Sequence, residues 1–281
     1  MRILARFIAL IVALLIASSA QAEKGIFYQP QEKDSHMSAE TWERIWNRLH
    51  HKGFDTVYIQ WTSYGSNDFG GAKGWLRRNL ALAQGASINL VVGLYLDPDY
   101  GKPATPPLDP SSFEAYWKAQ IGNSIAQWHH IENEWNIPVK AVYLPMELDD
   151  IQFMDPIRRD ILSSLLKAAS HSIDKPIHIS AFGNGRMSPY LWNRWLNDLN
   201  AFGIRTWWQD GNGIKKLDPF ILKEYQQNLD CKIGIIQEIF IQKSKENEPF
   251  LAEGNKEIPK PISCHPNALF SLRYLIPEFF K

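Results

Sequence analysis

The sequence predicts an α/β protein, a single-domain (β/α)8 TIM barrel behind a cleaved signal peptide, and three observations carry that prediction. Short apolar runs alternate seven times with helical stretches, and the runs end in polar or aromatic residues. Setting aside the first 22 of 281 residues leaves 259, and barrels of this class commonly run to about 250. No Gly-rich phosphate loop follows the first strand, which disfavours the alternative of an open doubly wound sheet.

Residues 1–22 read as an address. Arg2 and Arg6 form a positive leader, Phe7 to Ala17 an apolar core, and Ala20-Gln21-Ala22 a small-x-small cleavage site. Cleavage after Ala22 is expected, so residues 23–281 form the barrel domain, periplasmic or secreted. No other stretch approaches the roughly 20 apolar residues that a membrane span needs.

The first strand is expected at Gly25 to Gln29. Ser38 then caps a helix whose apolar stripe is Trp42, Ile45, Trp46 and Leu49, at helical spacing, with Gly53 as its stop. Thr56 to Trp61 is the second strand, followed by a Gly-rich loop and a helix over Trp75 to Gln84. Ile88 to Leu96 is almost wholly apolar, as a parallel strand buried on both faces is. A proline-rich loop leads to a long helix from Ser111 to about Trp135. The fourth strand, within Val139 to Asp150, breaks at Pro145 and delivers Glu147, Asp149 and Asp150.

A helix from Asp155 to Ser172 follows, then strand five at Ile177 to Phe182 and a helix begun by Ser188-Pro189. Strand six is Ile204 to Trp208, with a helix begun by Asp218-Pro219, and strand seven is Lys232 to Ile236. The eighth strand has two candidate positions, Pro261 to Cys264 and Leu269 to Ile276.

Composition narrows the partners. The chain carries 30 Lys and Arg against 30 Asp and Glu, and loss of the leader leaves 28 against 30. No basic stripe stands out, which argues against nucleic acid. Cys231 and Cys264, the only two cysteines, either form one disulfide or stay as buried thiols, and they are no zinc signature. The oligomeric state is left open.

Barrel enzymes keep their chemistry at the carboxyl ends of the strands. There the sequence places Gln29, Gln60, Trp61, Tyr95, Asp97, Glu147, Asn184, Trp208, Gln209, Asp210 and Glu238. No His, Asp and Glu cluster has metal-ligand spacing, no Gly-x-Ser-x-Gly elbow occurs, and no metal or cofactor is expected. Two carboxylates with aromatic walls and amide donors describe a glycosidase, and Glu147 and Glu238 fall on nearly opposed strands. The expected substrate-binding residues are Gln29, Gln60, Trp61, Tyr95, Asn184, Trp208, Gln209 and Asp210. Each has a plainer reading. Asp149 and Asp150 could be an acidic turn, Asp97 and Asp210 turn formers, and at least one of the adjacent Trp207 and Trp208 packing.

The strand endings Gln60-Trp61-Thr62, Tyr143 to Glu147, Trp207 to Gly211 and Glu238-Ile239-Phe240 resemble the bacterial family called domain of unknown function 4434, over most of the mature chain. That family is described as TIM-barrel and glycosyl-hydrolase-like. More distantly the chain resembles the retaining (β/α)8 glycosidases, which implies Glu147 as acid/base and Glu238 as nucleophile. Met146 departs from the Asn that those enzymes place before the strand-four Glu. That leaves room for another pair, such as Glu147 with Asp210. The expected function is an exported glycoside hydrolase on a polysaccharide or oligosaccharide. The alternative is a non-catalytic carbohydrate-binding barrel of the cell envelope.

Overall fold

A computed structural model describes residues 23–101, 109–245, 248–255 and 257–280; the expected signal peptide, residues 1–22, lies outside the described residues. Eight strands form a closed barrel in sequence order: β1 (Lys24–Tyr28), β2 (Thr56–Ile59), β3 (Asn89–Gly93), β4 (Ala141–Asp149), β5 (Ile177–Phe182), β6 (Ile204–Gln209), β7 (Gly234–Glu238) and β8 (Asn267–Phe270). Every neighbouring pair is parallel, and β1 closes the ring against β8. The outer layer holds α1 (Ala39–His51), α2 (Trp75–Ala83), α3 (Pro110–His130), α4 (Pro156–Ser172), α5 (Pro189–Ala201), α6 (Pro219–Gln227) and the one-turn α7 (Leu272–Leu275).

The eighth strand is the main correction. Neither candidate span is right as drawn. Pro261 to Cys264 is loop, and Leu269-Phe270 belongs to the strand while Leu272–Leu275 turns into helix. Strand three also stops earlier than its apolar run, at Gly93. Tyr95–Leu96 instead pairs with Ser63–Tyr64 in a separate two-stranded ribbon.

Period-two alternation sorts the strand side chains into two cores. Phe27, Tyr58, Val91, Tyr143, Trp207 and Ile236 point into the barrel and pack on one another. Their neighbours Ile26, Val57, Val92, Leu144, Trp208 and Ile235 face the helices. The helices supply the other half of that outer core. Trp42, Ile45, Trp46 and Leu49 of α1 are all fully buried, each worth about 1.5–3 kcal/mol on burial. Ser38 caps α1 by accepting the Thr41 N–H at 3.2 Å, a contact of about 1 kcal/mol. Inside the barrel, space is tight. A Cβ added to Gly234 would lie 2.3 Å from the Trp207 ring, so the wide indole is admitted by the missing side chain opposite.

Polar contacts line the amino-terminal end of the barrel. Glu23 pairs with Arg205 at 2.9 Å and accepts the Tyr58 hydroxyl. Above it the buried His178 accepts the Trp207 indole N–H on Nδ1 at 3.2 Å. Burial, with the Arg205 and Lys140 charges, pushes this imidazole down to about 3, so it is neutral. Cys231 and Cys264 are bridged, settling the choice that the sequence left open.

The bridge joins the segments entering β7 and β8 across a separation of 33 residues. Cys231→Ser or Cys264→Ser is expected to lower unfolding stability by about 3–4 kcal/mol through the freed loop. Urea titration of wild type with and without reductant checks it, and equal midpoints would contradict the expectation.

Candidate active site

The inward parity that places Phe27, Tyr58 and Ile236 in the inner core places Gln29, Gln60 and Glu238 one step higher. With Glu147 and Gln209 they line one cavity of about 430 Å3 at the carboxyl ends of the strands, walled by Trp61, Tyr64, Asp97 and Phe270. The Trp61 and Tyr64 rings lie 5.3 Å apart and tilted, offering apolar faces beside the amides.

Glu147 reaches the cavity through an irregularity. Pro145 has no N–H for the ladder, and the β4–β5 register shifts between Leu144 and Leu148. The carboxylate accepts the Gln209 amide at 2.8 Å. The same amide nitrogen reaches Ser180 Oγ at 3.3 Å, and Ser180 shares a 2.7 Å hydrogen bond with Tyr143. The Tyr100 hydroxyl donates to the Glu147 carbonyl. Burial raises the Glu147 pKa, the Gln209 donor opposes this, and the Asp149 charge adds to it.

Glu238 is buried at the end of β7. Its Oε2 accepts the Gly213 N–H at 2.7 Å and the Ile214 N–H at 3.1 Å. A Cβ on Gly213 would sit 2.8 Å from the Phe240 carbonyl and 2.9 Å from that Oε2, so the glycine permits the approach. Burial raises the Glu238 pKa to about 7, helped by the Asp210 charge and, less, by Glu147, against the two N–H donors.

Other sequence-predicted residues stand elsewhere. Trp208 is buried among the helices on the outer face of β6, because parity gives the inward positions to Trp207 and Gln209. Tyr95 left the barrel with its ribbon and does not line the cavity. Asn184 accepts Lys216 Nζ at 2.8 Å on a flanking loop, also outside the cavity. Asp210 is a buried turn residue. It accepts the backbone N–H groups of Asn212 and Glu238, both at 3.1 Å, and so positions Glu238 instead of facing the cavity.

Asp149 and Asp150 follow the plainer reading. Asp149 accepts Ile151 and Gln152 N–H groups at 2.9 Å. Asp150 accepts Asn184, Arg186 and Met187 N–H groups and the Tyr225 hydroxyl. Helix α4 is capped by Asp155. Met146 is buried toward the helices and presents nothing polar to the cavity.

Sequence reasoning missed Tyr64, Tyr100, Phe240 and Phe250, which also line the cavity. Phe250 lies in the connection between the ribbon strands Phe240–Gln242 and Ala252–Gly254 and packs edge-on against Phe240. Gln60 holds an orphan: its buried Oε1 has no hydrogen-bond partner among the described residues, and an unpaired buried acceptor is what a bound donor would satisfy. Among the described residues no group of His, Cys, Asp and Glu could hold a metal. A larger hollow of about 880 Å3 opens at the opposite end, around Glu23, His178 and Arg205. It receives no strand-exit residue, and the carboxyl-end cavity is the candidate site.

Residues 24–256 match the family described as Domain of unknown function (DUF4434). The chain belongs to this family. The chain is similar to "Uncharacterized protein YbcH" of Escherichia coli (strain K12), 30% identical, with 95% of each chain covered. In fold, the DUF4434 barrel is similar to a "putative alpha-L-fucosidase" from Bacteroides thetaiotaomicron VPI-5482, with TM-score 0.53, 14% identity and 92% and 91% of the two chains covered. It is also similar to a xylose isomerase domain containing protein from Salmonella typhimurium LT2, with TM-score 0.51, 11% identity and 89% of each chain covered. At such identities the likeness is one of fold.

A carboxyl whose folded-state pKa is raised stabilises fully below its unfolded value, about 4.5, and loses that contribution as pH rises through about 7. Glu238→Gln, neutral at every pH, is therefore expected to raise unfolding stability above pH 7 by up to about 3 kcal/mol and to change little below pH 4.5. Melting temperatures across that range check it. A Gln variant no more stable than wild type at pH 8 contradicts the burial account.

Proposed function

We propose that this protein is an exported glycoside hydrolase that cleaves a polysaccharide or oligosaccharide, with Glu147 and Glu238 as its catalytic carboxylates. One observation carries the reading: both side chains line the same cavity, with Trp61 and Tyr64 as walls and Gln29, Gln60 and Gln209 as amides. Sugar rings offer apolar C–H faces to aromatics and hydroxyls to amides. Export is supported by the leader at residues 1–22 and by the disulfide, which an oxidising compartment favours.

The environments of the two acids divide the labour. Glu238 has a pKa of about 7 and holds a proton near neutrality. Both backbone donors grip Oε2, leaving Oε1 to carry that proton into the cavity. Burial raises the Glu147 pKa as well, but the Gln209 amide N–H at 2.8 Å opposes this. With no second donor among the described residues, one Glu147 oxygen is free to carry a proton, as at Glu238. We assign Glu238 as the acid that protonates the glycosidic oxygen, and Glu147 as the carboxylate that attacks the anomeric carbon or activates water. This reverses the roles implied by the retaining glycosidases, whose strand-four amide is here the buried Met146.

Activity is to be read as reducing ends released from a panel of bacterial exopolysaccharides. Glu147→Gln and Glu238→Gln are each expected to lower kcat at least about 100-fold. Binding that survives in both variants while even wild type releases no sugar would favour the carbohydrate-binding barrel instead. The pH profile separates the roles. With Glu238 as acid, kcat/KM falls as pH rises through about 7, and a limb that rises there assigns Glu238 as the nucleophile.

A further inference from the structure

Three consecutive helices begin with the same device. Asp155-Pro156-Ile157 opens α4, Ser188-Pro189-Tyr190 opens α5 and Asp218-Pro219-Phe220 opens α6: a capping side chain, proline at the first helical position, then an apolar residue. The caps and prolines serve the helix. The apolar residues do not. Ile157, Tyr190 and Phe220 are 55%, 65% and 65% exposed, and Met154, Leu191 and Ile221 beside them are exposed too. First turns ordinarily favour Asp and Glu, which complement the helix dipole, yet none of these three has an acidic residue in its first turn.

The three loops form one surface. Asp150 binds the backbone of residues 184, 186 and 187, Arg159 reaches Met187 Sδ at 3.8 Å, and Lys216 donates to Asn184 at 2.8 Å. Because the helices of a (β/α)8 barrel all start at the face where the strands end, the protruding side chains share one level, around the cavity mouth. The charge there is cationic. From the ends of β4, β5 and β6, residues 150–160, 183–194 and 210–224 hold seven Lys and Arg against six Asp and Glu. The exposed charges, however, are Arg186, Arg194, Lys215, Lys216 and Lys223 against Asp160 and Asp218.

We infer that this rim is a docking surface for an anionic lipid bilayer, which the barrel meets with its open end. Most of the protruding side chains are aliphatic, and they lack the flat face that a pyranose ring stacks on. Apolar groups at one level, flanked by cations, match the acyl boundary and the phosphates of an acidic membrane. Docked this way, the cavity mouth lies at the lipid surface.

The test uses residues 23–281, which contain every strand of the barrel, so that the apolar leader contributes nothing. The protein is co-sedimented with vesicles of phosphatidylglycerol and phosphatidylethanolamine, and separately with phosphatidylcholine alone. Binding is expected only to the acidic vesicles. It is expected to weaken about tenfold or more in Ile157→Gln with Phe220→Gln, and similarly in Lys215→Glu with Lys223→Glu. All four positions are exposed, and circular dichroism checks that the variants fold. No binding to acidic vesicles, or binding that the apolar substitutions leave intact, overturns the inference. So does a concentration-dependent dimer in sedimentation that Phe220→Gln dissolves, since a second copy would then be the occupant. A soluble glycan whose binding is lost in the same variant overturns it as well.

Discussion

The closed ring of eight parallel strands imposes one constraint on everything else, the two-residue alternation of its side chains. A strand cannot slip by one residue without exchanging its inner and outer sets, and here both sets are buried. The inner set fills the lower barrel with rings, Phe27, Tyr58, Tyr143 and Trp207, whose centroids pack 4.9–5.4 Å apart where they touch directly. Above this plug the inner positions become Gln29, Gln60, Gln209 and Glu238, and the space opens into the cavity. Polar chemistry at the mouth and hydrophobic packing below it are thus consecutive steps of the same alternation.

That plug decides what a carboxylate at the mouth experiences. An acid placed on a floor of aromatic rings loses solvation, and its protein donors determine how much is recovered. Asp150 accepts three backbone N–H groups spread over both oxygens, and the Tyr225 hydroxyl lies between it and the Met187 carbonyl. This carboxylate is a structural clasp between loops. Glu238 recovers half: two N–H groups converge on Oε2, while Oε1 makes no hydrogen bond with a described residue and the side chain borders the cavity. Saturation separates the two acids better than burial does, since both are buried. The stability surrendered at Glu238 is the other side of its readiness to hold a proton near neutral pH.

The strands and helices were legible because each is a long periodic signal closed by a cap or a glycine. Ser38, Asp155, Ser188 and Asp218 cap the helices as their spacing implies. Gln29, Gln60, Gln209 and Glu238 were legible for a related reason: they stand at strand exits in inward register. Glu147 and Trp61 were legible as strand-exit residues, although a register shift and the strand end bring them to the cavity. Trp208 failed because adjacent tryptophans carry no mark of which one faces inward until Gln209 is recognised as a strand residue. Tyr95 failed because its apolar run hides the end of β3 at Gly93, where a Cβ would strike the Gln60 carbonyl at 2.2 Å. Phe250 and β8 lie where pairing partners, and not periodicity, make the structure.

The orientation shared by strands and helices also links the mouth to its surroundings. Parallel strands place every strand exit at one face, and the returning helices must begin there, so their first turns surround the cavity. Ser38 and Asp109 cap the first turns of α1 and α3. Between β4 and α6 the first turns carry apolar side chains that the fold does not require, and tightly joined loops hold them. Next to these loops, at the ribbon that donates the Gln242 N–H to the Gly213 carbonyl at 3.0 Å, Phe250, 59% exposed, borders the cavity. The cavity that holds Glu147 and Glu238 thus opens at the same face as the apolar first turns, with the Phe250 ring at its edge. On the proposed reading, a glycan presented at a surface that these turns contact would arrive already oriented toward both carboxylates, an advantage that free sugars in water lack.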